Sequence, residues 1–137
     1  MNRGLVVGEW VRAQQTLRAA ELLVREGFPE DAVSRTYYSI LHAARAALCV
    51  CGVVTESHAG ARRMFGKHLV LSGAIEREWA RYLGESLDDR LAADYDIGTS
   101  CSVEQAREEC TRAGEFLSRI RRYLIDNGLT ESELDTA

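Results

Sequence analysis

Residues 31–52 are apolar almost all the way round a helix. Val33, Tyr37, Ile40, Leu41, Ala44, Ala47 and Leu48 recur at helical steps and make one broad face. Ala32, Ala43, Ala46 and Val50 make a flank of small side chains where another helix can approach closely. One line of positions breaks the pattern: Asp31, Arg35, Tyr38, His42, Arg45 and Cys49, spaced by threes and fours. A helix with so little polar surface belongs at the centre of a bundle. Its polar stripe must meet partners or water, because unpaired buried polar groups are costly.

The same periodicity organises what flanks it. Trp10, Ala13, Leu17, Ala20 and Val24 predict a helix over 9–26, stopped at Gly27. Pro29, Glu30 and Asp31 suit the first turn of the central helix. Ser57 is the expected N-cap of a third helix over 58–70, with Ala61, Met64, Phe65 and Leu69 inward. Ile75, Trp79, Leu83 and Leu87 predict a fourth over 74–95, and Arg90 and Asp94 continue that same side. Ser102 and Gln105 form a capping-box pattern ahead of a fifth helix over 103–127, with Ala106, Cys110, Ala113, Leu117, Ile120 and Leu124 as its stripe. The expected fold class is all-α, a five-helix up-and-down bundle. Residues 1–8 read as a short N-terminal arm, 9–127 as the helical domain and 128–137 as an acidic, flexible tail.

The 137 residues are enough for one domain with a core, and the 46% hydrophobic content fits a globular protein. A net charge of -4 gives no global attraction to nucleic acid or an anionic membrane, so basic patches must be judged locally. No stretch approaches the roughly 20 apolar residues that span a bilayer, and no signal-like N-terminus is present. The expected location is the cytoplasm. Cys49, Cys51, Cys101 and Cys110 lack zinc spacing and read as small, reduced core residues, with no metal and no cofactor expected.

Three groups of residues carry chemistry. Arg35, Tyr38 and His42 lie on successive turns, and they read either as an anion or nucleotide pocket or as a buried hydrogen-bonding seam. Arg90 and Asp94 can meet at a spacing of four, with Tyr95 beside them, and sequence leaves a site and a buried ion pair equally open. Arg62, Arg63 and Lys67 form a basic group near His58 and His68. Arg119, Arg121 and Arg122 form another near a helix C-terminus, where cations are simply stabilising. Phosphate-binding Gly-rich loops, zinc-binding His-Glu-x-x-His and the Gly-x-Ser-x-Gly elbow are missing.

The run Arg-Thr-Tyr-Tyr-Ser-Ile-Leu-His-Ala-Ala at 35–44, Ser-His-Ala-Gly at 57–60 and Leu-Asp-Asp-Arg-Leu-Ala-Ala-Asp-Tyr-Asp at 87–96 resembles the HEPN domain family, and more closely its small stand-alone UPF0332-type branch. The resemblance covers residues 9–125. It implies a helical bundle that forms a homodimer and is encoded beside a minimal nucleotidyltransferase, as in toxin–antitoxin-like pairs, with nucleotide or RNA as ligand. It also implies, as an alternative, a metal-independent RNase toxin whose motif is an Arg followed by a His, cleaving RNA through its 2′-hydroxyl. Arg90 matches that Arg. No His stands in 91–97, where Tyr95 takes a position open to it, so cleavage is the alternative reading rather than the first and would use Arg90 with His42. A purely structural helical assembly protein is the third reading. The nucleotide or RNA-binding candidates are Arg35, Tyr38, His42, Arg90, Asp94 and Tyr95, expected to form two walls contributed by the second and fourth helices.

Overall fold

The computed structural model of the chain describes residues 1–95 and 100–135, without the side chains of residues 92–95. Its elements are α1 (Arg3–Arg25), α2 (Pro29–Val50), α3 (His58–Phe65) running into a single wide π turn (Gly66–Val70), α4 (Arg77–Tyr95), α5 (Val103–Asp126) and a short α6 (Glu131–Leu134). The described residues contain no strand. The all-α bundle expected from the hydrophobic pattern is the fold.

Helix α2 is its axis. Helices α1, α4 and α5 all pack directly on it, and the short α3 touches both α2 and α4. Ala32, Val33, Tyr37, Ile40, Leu41, Ala43, Ala44, Ala46, Ala47 and Leu48 are all buried. Along the predicted stripe Asp31 and Arg35 are exposed, Tyr38, His42 and Arg45 are half-buried, and only Cys49 is buried. The alanine flank lets neighbouring backbones come close, and Trp10, Phe65, Phe116 and Ile120 fill the larger spaces. Phe116 is the aromatic hub, with its ring centroid about 6 Å from those of Phe65, Trp79 and Tyr82. Offset and edge contacts of this kind add to the burial of the rings.

Four boundaries differ from the sequence expectation, each for a local reason. Residues 1–8 are not an arm: α1 begins at Arg3, capped by the Asn2 side chain accepting from the Leu5 N–H, and Val6 is buried in the core. The third helix is not uniform to residue 70, because it widens into the π turn after Phe65. The fourth starts at Arg77 rather than residue 74. Gly73 takes a positive φ of 82° that ends the preceding helix, and the Ile75 N–H returns to the Leu69 carbonyl.

The tail is the largest difference. Thr130 caps α6 and the Glu133 side chain accepts from the Thr130 N–H, a reciprocal capping box. Leu129 and Leu134 are buried, the Trp10 indole N–H donates to the Leu134 carbonyl at 3.0 Å, and the Arg3 guanidinium grips Glu133 and the Gly128 carbonyl. The segment is acidic, but two leucines and a cap fasten it to α1.

Candidate functional site

The part of the α2 stripe that holds Tyr38 faces α3 and α4. Tyr37 and Tyr38 are adjacent in sequence and therefore diverge: Tyr37 is only 1% exposed, and Tyr38 is half-buried at the crease between α2 and α4. From α4, Arg90 Nη2 donates to the Tyr38 hydroxyl oxygen at 2.9 Å. The Arg90 guanidinium carbon lies 5.2 Å from the Tyr38 ring centroid and 5.8 Å from that of Tyr37. One turn before Tyr38, Arg35 lays its guanidinium over the same ring at 4.8 Å. Cation–π contacts hold such groups in place without neutralising them.

Helix α3 supplies the fourth member. Ser57 caps it, accepting from the Gly60 N–H at 2.9 Å, and this sets His58 at the first helical position. The His58 ring lies 5.5 Å from Tyr37 and 5.7 Å from Tyr38, nearly perpendicular to the latter. The two tyrosines, His58 and Arg90 thus form one cluster contributed by three helices.

The electrostatics are those of a basic site with buried aromatic walls. Burial pushes the Tyr37 hydroxyl up to about 12, against the opposing pull of Arg90, Arg45 and Arg62. Burial, with the charges of Arg90 and Arg45, pushes His58 below its ordinary range. His58 is therefore a neutral imidazole at neutral pH, able to accept a proton or a hydrogen bond. Arg45 Nε is buried with no hydrogen-bond partner among the described residues. Arg35, Arg45 and Arg62 have no carboxylate at ion-pair distance among the described residues.

The geometry sorts the sequence candidates. Arg35, Tyr38 and Arg90 come together, and helices two and four do meet there. His42 does not join them. Its Nδ1 lies 2.7 Å from Glu9 Oε2 on α1, so the stripe divides after Tyr38, one part facing α4 and the other α1. Asp94 and Tyr95 ride on the last turn of α4, and their side chains lie outside the described residues. His58 and Tyr37 are the members the periodicity missed. Tyr37 read as core, which it also is. His58 sits some twenty residues from Tyr38 in a different helix; the Ser-His-Ala-Gly stretch at 57–60 marked it as part of the family pattern, but nothing in its spacing placed it beside the tyrosines. Among the described residues no three His, Cys, Asp or Glu side chains gather as a metal site would require.

The basic groups on α5 resolve differently. Arg119 Nε donates to Glu76 Oε1 at 2.7 Å and its Nη2 to the Ala74 carbonyl at 2.9 Å. Arg121 pairs with Asp135 at 3.1 Å and Arg112 with Glu85 at 3.4 Å. These arginines tie the α4 entry and α6 to α5. No helix among the described residues is long and apolar enough to cross a membrane.

Known proteins share this arrangement of sequence. A protein of Methanocaldococcus jannaschii named Putative toxin MJ0142 is 30% identical over 124 residues, 90% of this chain and 84% of the relative. A second from the same organism, Putative toxin MJ0605, is 35% identical over 112 residues, 82% of this chain and 83% of the relative. UPF0332 protein glr0978 of Gloeobacter violaceus is 32% identical over 114 residues, 82% of this chain and 90% of the relative. The family model for the HEPN domain matches residues 8–125, a span that holds α2, the Tyr37–Tyr38–His58–Arg90 cluster and nearly all of α5. With the motifs, the bundle and these relatives in agreement, the chain belongs to the HEPN domain family.

Proposed function

We propose that this chain is the HEPN module of a toxin–antitoxin-like pair, a homodimer working with a separately encoded minimal nucleotidyltransferase, and that it takes a phosphate-bearing ligand, nucleotide or RNA, at the Tyr37–Tyr38–His58–Arg90 cluster. The names of the relatives support the toxin–antitoxin part. One observation carries the ligand part: Arg35 and Arg90 are held on the Tyr38 ring, and Arg35 and Arg45 lack carboxylate partners among the described residues. Guanidinium groups positioned this way present donors to phosphate oxygens. A purely structural seam would spend the charges of Arg35 and Arg45 on neighbouring carboxylates, as α5 does. Fluorescence anisotropy with labelled ATP and a short labelled RNA tests the ligand. Micromolar binding that weakens in Arg35→Ala is expected, and absence of binding to both probes overturns it. Co-purification with the product of an adjacent nucleotidyltransferase gene tests the partner, and separate elution of the two would count against it.

Metal-independent RNA cleavage is the second reading, favoured by the state of His58. A neutral imidazole near a phosphate-holding arginine is the group that takes a proton from a 2′-hydroxyl. The geometry favours His58 over His42 for that part, since His42 is engaged with Glu9. Cleavage of RNA in EDTA that survives His42→Ala and is lost in His58→Ala is expected on this reading. No cleavage by the unaltered protein removes it and leaves the binding proposal standing.

A further inference from the structure

Glycine in the middle of a helix costs stability unless its missing side chain makes room for something. Gly84 lies inside α4, is buried, and has ordinary helical backbone conformation. A Cβ placed there would lie 2.5 Å from Arg62 Nη2, 2.7 Å from Arg62 Cζ and 2.8 Å from Arg62 Nε. The three nearest atoms from outside the helix's own turn all belong to Arg62. The space kept open by Gly84 is therefore filled by one guanidinium group, which comes across from α3 and lies flat on the α4 backbone.

Arg62 is four residues after His58 and shares its face of α3. That face puts His58 against Tyr37 and Tyr38. Arg62 has no ion pair among the described residues, and its charge reaches the Tyr37 hydroxyl together with those of Arg90 and Arg45. Arg62 thus extends the cluster along the α3–α4 crease.

We infer that Arg62, seated on Gly84, is a ligand-binding residue of the phosphate site, and that the site takes an anion with more than one phosphate. The second part follows from the number of cations. Arg35, Arg45 and Arg62 bring three positive charges with no carboxylate at ion-pair distance among the described residues, more than the roughly two negative charges that one phosphate group carries. Recognition is through phosphate rather than base, because Tyr37 is enclosed in the core and Tyr38 already carries the guanidinium groups of Arg35 and Arg90. The inference rests on the proposed phosphate site.

Isothermal titration of the whole chain with inorganic tripolyphosphate tests it, using Arg62→Ala, Gly84→Ala and the double variant. Each single substitution is expected to weaken binding roughly tenfold, the order of one charge-assisted hydrogen bond. The double variant should bind no more weakly than either single one, because both act through the same guanidinium group. Gly84→Ala keeps every charge and improves helix propensity, so its melting temperature should be unchanged or higher. A Gly84→Ala protein that binds like the unaltered chain overturns the inference, as does a double variant whose loss is the sum of the two. Failure of the unaltered chain to bind tripolyphosphate overturns the phosphate site itself and Arg62's place in it. Binding of single nucleotides that differs more than about tenfold between purine and pyrimidine would overturn recognition through phosphate alone.

Discussion

Two sets of arginines in this molecule have opposite surroundings. On α5, Arg119 and Arg121 each reach a carboxylate, Glu76 or Asp135, and Arg112 reaches Glu85. Around α2, Arg35 lies on a tyrosine ring, Arg45 buries a donor without an acceptor among the described residues, and Arg62 lies on a bare stretch of helix backbone. The first set spends its charge inside the protein. The second keeps charge in place while leaving it unneutralised by described carboxylates, at the cost of self-repulsion and of the histidine whose protonation it suppresses. Basic residues counted from sequence look alike, and what separates the fastening set from the proposed binding surface is whether a carboxylate is already there.

The largest expected effect lies where α5 meets the core. Phe116→Ala removes the ring that joins Phe65, Trp79 and Tyr82, and denaturant unfolding should show a loss of about 3–5 kcal/mol. A loss under 1 kcal/mol would show that the hub is not where the bundle is held.

Next comes the fastening set itself. Arg119 has a side chain only 9% exposed and binds both Glu76 and the Ala74 carbonyl. Arg119→Ala should lower stability by about 1–3 kcal/mol with no change in ligand binding. Its partner titrates accordingly. Arg119 holds the Glu76 carboxyl at about 2, below the ordinary carboxylate range. The stability this contributes is present above the unfolded value near 4.5 and is lost as pH falls through that value toward 2. Melts across that range in the unaltered chain and in Arg119→Ala should converge at the acid end.

Arg35→Ala should do the reverse. The residue is exposed and has no ion pair among the described residues, only its contact with the Tyr38 ring, so unfolding should change by less than about 1 kcal/mol while nucleotide or RNA binding weakens roughly tenfold. Equal losses in both measurements would erase the distinction between the two sets.

The smallest effect is on His58. Its folded value is depressed, so protonation favours the unfolded chain, and stability from this group falls as pH drops below the ordinary histidine value near 6.5. In NMR titration the His58 midpoint should lie below that ordinary value and rise in Arg90→Gln, which removes one of the two neighbouring cations. A midpoint that does not move would show that burial alone sets it.

Much of this was readable before any coordinates. The all-round apolar character of α2, with its single polar stripe, determined which helix is central and which line of its residues is polar. Helical periodicity and the caps at Ser57 and Ser102 placed the start of two further helices, and the motifs pointed to the family. Tertiary structure decided the rest. It divided the stripe, sending His42 to Glu9 and leaving Tyr38 with Arg90, because two helices pack on opposite sides of one row of side chains. It brought His58 into the cluster and laid Arg62 on Gly84, contacts between residues far apart in sequence that no local pattern encodes. It also docked the acidic tail. The capping signal Thr130-x-x-Glu133 was present, but the surface of α1 that covers Leu134 exists only once the bundle has formed. Periodicity reports which face of a helix is apolar, whereas the partner of each polar residue depends on which helix lies across from it.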